Sequence, residues 1–383
     1  MKATYTVSPA VVDWVIGQVG ARPTPLKSLD LLKQWRTGAK TPTFNEIQDI
    51  SKKTRIPLGY FFLQIPPKEE IKLMEYRTIE SAESGNPSRE LIDTIADMEQ
   101  IIDWTRDYLI AEGSEINPIV GKLKDETDIA VIAAYIRKVL GLPINWFETT
   151  ESSFNHLRDK MSEAGVIIMM NGVVRSNTHR PLNIEEFRAF TLIDTFAPLI
   201  FINATDSTSG RLFSLLHEFA HICLGVDNLF NDRYSTFNGV SKRETLCNAV
   251  AAEILVPVSL FGSTWNIQSV RAISIDEIIE KVAHHFKCGR IIVARKALDT
   301  GRIGQTTYDE IVRKAIKDFH ERKQAKNDDG GNYYRTKASR IDKRFLTFVV
   351  DSVSRGKTLY SEAFRLTDTN RHTFSELVER MKS

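Results

Sequence analysis

The sequence predicts an α+β protein, mainly helical, with one small sheet set before a deeply buried helix. Three observations carry that expectation. In "SRELIDTIADMEQIIDWTRDYLIAEG" the apolar residues Leu91, Ile95, Met98, Ile102 and Leu109 recur at helical spacing. Short β-branched and apolar runs crowd together in "GVIIMMNGVVR", "FRAFTLID" and "PLIFINA". Directly after them, "RLFSLLHEFAHICLG" is apolar from Leu212 to Leu224 except at Ser214, His217, Glu218 and His221. A helix apolar on every side is buried on every side.

The elements follow in order. An N-terminal region, residues 1–66, shows a helical pattern from Leu29 to Trp35, then "RTGAKTPTF", a second helix from Phe44 to Thr54 and "RIPLGYFFL". Residues 67–160 read as a helical connecting region whose long helix belongs to a hairpin or bundle. In residues 161–320, Asn171-Gly172 between two β runs predicts a hairpin. "FRAFTLID" and "PLIFINA" predict two further strands, and the polar "TDSTSG" opens the histidine-bearing helix. A second helix covers "SKRETLCNAVAAEILVP", with Ser241 as N-cap and Pro257 at its end. Two more cover "SIDEIIEKVAHHF" and "RIIVARKALDTG", before a flexible, polar "ERKQAKNDDGGN". Residues 333–383 form a basic helical C-terminal region, and no internal repeat is evident.

At 383 residues the chain exceeds one compact core and implies two or three domains. Its 42% hydrophobic and 26% charged residues are an ordinary soluble composition. No apolar run approaches the roughly 18 residues a membrane span needs, and "MKATYTVSPAVVDW" lacks the apolar core of a secretory signal. The expectation is a cytoplasmic protein with no membrane partner. Cys223, Cys247 and Cys288 are odd in number and form no CxxC, so they read as reduced thiols. Charge is uneven: residues 1–65 carry 9 basic and 4 acidic groups, 66–300 carry 24 and 33, and 301–383 carry 18 and 12. Basic ends suit nucleic acid or an acidic protein partner.

Three ionisable groups inside an apolar helix need partners, because one unsatisfied buried polar group costs about 1–3 kcal/mol. His217 and His221, four apart, share a helix face with Glu218 beside them, the HExxH arrangement. Two neutral imidazoles hold zinc at about 2.0–2.1 Å, and Glu218 can then serve as general base on a water the ion acidifies. A catalytic zinc takes a third protein ligand, and the next helix offers Glu244 and Glu253. Nine residues apart, these point to opposite faces, so only one can serve. Glu244 is preferred because Asn248, one turn on, shares its face and could orient a liganding histidine. Ser241-x-x-Glu244 also reads as a capping box, in which the carboxylate caps its own helix. Cys223 and Cys247 read as core packing. Tyr234 and His179 are candidates for stabilising a transition-state oxyanion, against an ordinary loop role.

"PLIFIN", "HEFAH" and "ETLCNAVAAEILVP", in that order across roughly residues 160–260, resemble the ImmA/IrrE family of metallo-endopeptidases. The resemblance implies a zincin-like metallopeptidase core related in plan to thermolysin, with His217, His221 and Glu244 as zinc ligands and Glu218 as general base. It also implies a protein substrate: a DNA-binding repressor or antitoxin-like regulator tied to a mobile element, a stress response or a toxin–antitoxin pair. "LLKQWRTGAKTPTFNEIQDISKKTRIPLGYFFL" resembles the Xre-type helix-turn-helix modules often fused to such peptidases. That adds DNA as a partner, with Lys33, Arg36, Lys40, Lys52, Lys53 and Arg55 toward phosphates. The module departs from the pattern between Trp14 and Trp35, where "GQVGARPTPLKSLD" is short and Gly/Pro-rich for the usual second helix. A degenerate module kept for protein contact is the other reading.

The leading expectation is a cytoplasmic zinc-dependent endopeptidase that cleaves a regulatory protein. The alternative is a DNA- or toxin-binding regulator or antitoxin with a structural or dormant zinc site. Glu218 favours the enzyme, since a structural site has no use for a base beside the metal.

Overall fold

The computed structural model describes residues 4–19, 26–67, 87–225, 228–230, 242–270, 272–325 and 333–382. The chain divides into two units, residues 1–72 with 80–96 and residues 73–79 with 97–383.

The first unit contains α1 (Pro9–Val19), α2 (Leu26–Arg36), α3 (Phe44–Thr54) and a 3-10 turn at Leu58–Phe62. Val11, Val12, Val15 and Val19 recur on one side of α1 and are buried in a core with Trp35 and Ile50. α2, 11 residues long from Leu26 to Arg36, covers the helical pattern expected from Leu29 to Trp35; of "GQVGARPTPLKSLD" the described residues are only the end of α1 and the start of α2, and residues 20–25 lie outside the described residues. A capping box starts α3: Thr43 Oγ1 accepts from Glu46 N at 3.4 Å, and Thr43 N donates to Glu46 Oε2 at 2.9 Å. Lys40 Nζ lies 2.5 Å from the other oxygen of Glu46. The helix ends at Arg55, in the left-handed region at φ 62°, whose guanidinium pairs with Glu90.

The unit boundary falls inside α4 (Arg89–Ala111), where Leu91, Ile95, Met98, Ile102 and Leu109 are all buried. The second unit continues with α5 (Ile129–Leu140), α6 (Ser153–Glu163), β1 (Ile167–Asn171), β2 (Ala189–Leu192) and β3 (Leu199–Asn203). Then come α7 (Thr208–Leu224), β4 (Asn228–Phe230), α8 (Lys242–Leu255), α9 (Val258–Ser269), α10 (Ile275–His285) and α11 (Arg290–Asp299). It closes with α12 (Gln305–Ala325), α13 (Tyr333–Arg340), α14 (Lys343–Ser354), α15 (Tyr360–Leu366) and α16 (Arg371–Lys382). Pro257, read as the end of α8, also stands as the N-cap of α9, which the sequence reading overlooked along with α12. Of "ERKQAKNDDGGN", the first five residues end α12 and the rest lie outside the described residues.

The four strands order as β1-β3-β2-β4, with β1 parallel to β3 and β2 antiparallel to both β3 and β4. The expected hairpin at Asn171-Gly172 does not form. A type I′ turn needs positive φ at both central residues, and neither residue adopts it. Instead Asn171 Oδ1 accepts from Gly172 N at 2.9 Å and from Val173 N at 3.3 Å, an Asx turn that leads the chain away from β1. The apolar strand β1 finds cover beside the equally buried β3.

At Ile168 on β1 both main-chain groups are taken by side chains. Its N–H donates to Asp342 Oδ2 at 3.2 Å, and its C=O accepts from Arg158 Nη2 at 3.1 Å. Asp342 also caps α14 through Phe345 N, while Arg158 reaches the carbonyls of Ser339 at 2.6 Å and Ile341 at 2.9 Å. The C-terminal helices are thereby fastened to a sheet edge that would otherwise present unpaired groups. Among the described residues no single helix is long and apolar enough to cross a membrane.

Two outcomes follow for stability. Arg158→Leu leaves three carbonyls without their donor and should destabilise the second unit by about 3 kcal/mol, with early hydrogen exchange at Ile168 and in α14. Lys40, then the Thr43 N–H, hold the Glu46 carboxyl at about 2 against an ordinary 4.5. The stabilisation is therefore complete above about pH 4.5 and is lost as pH falls through about 2. Glu46→Gln should cost about 1 kcal/mol in urea denaturation at pH 7, with the deficit closing across that acid window.

Candidate metal centre

Helix α7 is held at both ends before any chemistry is considered. Ser207 caps it by accepting from Gly210 N at 3.0 Å, and Arg188 Nη1 pairs with the buried Asp206 at 2.6 Å just ahead of it. At the far end Gly225, at φ 72°, donates to the carbonyls of His221 and Ile222. Gly121 N and Leu123 N reach the carbonyls of Ile222 and Cys223 at 2.9 and 2.8 Å. A Cβ on Gly225 would lie 2.9 Å from the Gly121 Cα, so this close approach requires glycine. Between these ends every residue from Leu212 to Leu224 except Phe213 is buried. The helix packs against β2 and β3 and against α8.

On that helix His217 and His221 are 0% and 1% exposed, and their Nε2 atoms stand 3.1 Å apart. Glu244 on α8 faces both: its Oε2 is 3.2 Å from His217 Nε2 and its Oε1 is 3.2 Å from His221 Nε2. The donor chemistry fits a metal. Ligand atoms around a tetrahedral ion with bonds of about 2.0 Å are separated by about 3.3 Å, and two imidazoles with one carboxylate leave a fourth position open.

Protonation runs the same way. Burial lowers the His221 pKa, against the hydrogen bond to Glu244 that would raise it. Burial pushes the Glu244 carboxyl up, but its bonds to His217 and His221 outweigh this and hold it well below the usual carboxylate range. A neutral His221 imidazole beside an anionic Glu244 carboxylate suits metal ligation. Glu218, fully buried, is pushed up to about 8 by desolvation, opposed by His217 and by the Thr191 hydroxyl. Its Oε2 accepts from Thr191 Oγ1, while Oε1 is buried with no hydrogen-bond partner among the described residues.

The other sequence candidates separate clearly. Glu253 is engaged elsewhere, its Oε1 accepting from Val258 N at 3.1 Å and its Oε2 from Lys296 Nζ at 2.6 Å. It caps α9 and ties α8 to α11. Asn248 sits half-buried on α8 one turn past Glu244, and His179 is exposed in the loop after β1. Ser241 and Tyr234 lie outside the described residues. Cys223 and Cys247 belong to the hydrophobic core. Thr191 escaped the sequence reading, since the burial of its strand at every position and the carboxylate it meets emerge only from the fold. In the first unit Arg36 pairs with Asp13 at 2.6 Å, Lys40 with Glu46 at 2.5 Å, Lys53 with Asp49 at 2.7 Å and Arg55 with Glu90. Lys33 and Lys52 are exposed and have no ion pair among the described residues.

Residues 170–298, about a third of the chain, match the model of peptidase family M78, described as the IrrE N-terminal-like domain. The matched segment holds all four of His217, Glu218, His221 and Glu244, and it supports a peptidase of the ImmA/IrrE kind. Residues 341–380 match a model described as a domain of unknown function. Neither the curated proteins nor the solved structures compared with the chain yield a match.

Elemental analysis of the purified, zinc-reconstituted protein should find one zinc per chain. The double variant His217→Ala/His221→Ala should lose it, Glu244→Ala should weaken it at least tenfold, about 1.4 kcal/mol, and Glu253→Ala should keep it. Retention by the double variant, or loss in Glu253→Ala alone, would overturn the ligand set.

Proposed function

We propose that this chain is a zinc-dependent endopeptidase that cleaves a regulatory protein, such as a DNA-binding repressor or an antitoxin-like regulator. The wider setting we infer is a mobile element, a stress response or a toxin–antitoxin pair, in the cytoplasm. The observation that carries the reading is the Glu218 carboxylate, buried next to His217 with one oxygen anchored and the other without a hydrogen-bond partner among the described residues. A purely structural metal site gains nothing from such a group, which favours an enzyme over a regulator with a dormant site.

His217, His221 and Glu244 would hold the ion, which when bound supplies Lewis acidity toward the scissile carbonyl and a nearby water. Glu218 takes a proton from the attacking water and delivers it to the leaving amine. Asn248 is proposed to orient a liganding histidine. The sheet supplies a docking edge for an extended substrate: β4 ends the strand order, and it pairs with β2, the strand that carries Thr191. The opposite edge is obstructed at Ile168 by Arg158 and Asp342. Residues 1–66, an Xre-like module in this reading, serve chiefly to dock a protein partner. Four of their six candidate phosphate-binding side chains are already paired with carboxylates.

Co-expression with a small regulator encoded beside this gene, followed by intact-mass analysis, tests the activity. Wild type should yield two fragments, whereas Glu218→Gln should keep its zinc and melting temperature and lose at least about 10³-fold in rate. Cleavage undiminished in Glu218→Gln would sink the mechanism. For the N-terminal module, fluorescence anisotropy of the full chain on duplex DNA should give a Kd no tighter than about 1 µM at 150 mM salt, with affinity falling steeply as salt is added. Nanomolar, salt-tolerant binding to one palindromic site would favour the regulator.

A further inference from the structure

A general base works through one oxygen, and the two oxygens of Glu218 have different surroundings. Oε2 accepts the hydroxyl proton of Thr191, while Oε1 has no hydrogen-bond partner among the described residues. Thr191 is itself fully buried, in a strand whose every residue is buried. Valine would fill the same space with no polar group to satisfy, so packing alone does not call for a hydroxyl here. A hydroxyl carries a single proton to donate. The Glu218 main-chain carbonyl lies farther off, at 3.4 Å, which leaves the carboxylate as the principal acceptor.

The strand beneath is well anchored. Thr191 pairs with Ile200 of β3 on one side and Asn228 of β4 on the other, so it sits on a central strand with ladders on both flanks. Glu218, by contrast, has a side chain with three rotatable bonds. A donor on a rigid strand removes that freedom more firmly than one on a loop could.

We propose that Thr191 is a positioning residue for peptide hydrolysis. It pins Oε2 of Glu218, so that Oε1 is the atom that receives the proton of the attacking water and passes it to the amine as the C–N bond breaks. This rests on Glu218 being the general base.

The test needs no knowledge of the substrate. Acetohydroxamic acid chelates zinc through its two oxygens and hydrogen-bonds to a carboxylate beside the ion, so its affinity reports how that carboxylate is placed. Calorimetric titration of the zinc-loaded full chain should show Thr191→Val weakened about tenfold, Thr191→Ser close to wild type and Glu218→Gln weakened at least as much as Thr191→Val. The double variant Thr191→Val/Glu218→Gln should bind no more weakly than Glu218→Gln alone, since both remove one interaction. Zinc content should be equal in all of them. Wild-type affinity in Thr191→Val, with Glu218→Gln weakened, overturns the role of Thr191 and leaves the base intact. Wild-type affinity in Glu218→Gln overturns the base itself. Full additivity in the double variant also overturns the inference, because Thr191 would then act by another route. Should Thr191→Val fail to fold, Thr191→Cys, a weaker donor, should give intermediate affinity, and wild-type affinity there has the same overturning force. An independent reading comes from melting the metal-free proteins: the Thr191–Glu218 double-mutant cycle should show coupling, and its absence overturns the contact.

Discussion

The second unit depends on one constraint: His217, Glu218 and His221 lie in a helix with no solvent-facing side around them. An imidazole or carboxylate so buried must be neutralised, bonded or bound to a cation. The structure meets this with an anionic carboxylate from α8 aimed at both imidazoles, and with a strand hydroxyl aimed at Glu218. The surrounding fold keeps those partners in register. α7 is capped at its start by Ser207 and clasped at its end by the Gly121–Leu123 backbone, so its histidine-bearing turn is fixed relative to β2 and α8.

That arrangement makes the site asymmetric. Two imidazoles and the Glu244 carboxylate converge with spacings of 3.1–3.2 Å, and Glu218 stands beside them with one oxygen occupied and the other without a hydrogen-bond partner among the described residues. A structural metal site closes its coordination, whereas a catalytic one leaves room beside a base. The match of residues 170–298 to the IrrE N-terminal-like domain supports a peptidase. The sheet edges differ in the same sense. Arg158 and Asp342 occupy the main-chain groups at Ile168 on β1, and β4 lies at the other end of the strand order.

Much of the site was legible because its parts are local. His217 and His221 are one helical turn apart, so their common face follows from the helix repeat alone. The same repeat separated Glu244 from Glu253, and the two now have different occupations, one facing the histidines and the other bonded to Lys296 and Val258 N. The strands "FRAFTLID" and "PLIFINA" were legible from their β-branched and aromatic content. Their partners were not. Asn171-Gly172 carries the chemistry of a hairpin, yet the chain turns away there because β1 is apolar enough to need a buried neighbour, and β3 is one. In the first unit the basic side chains were legible and their neutralisation was not, since Asp13 reaches Arg36 only once α1 and α2 are packed.

The sequence by itself determined the histidine pair, the adjacent glutamate and the burial of the helix that bears them, because these depend on neighbours within a turn or two. Tertiary structure decided what meets them. Thr191 lies 27 residues from Glu218 along the chain, and Asp342 lies 174 from Ile168. Contacts across such separations have no periodicity to read: they exist only where sheet register and helix packing bring two surfaces together, and the hydroxyl of Thr191 carries no mark in "AFTLID" of the carboxylate it holds.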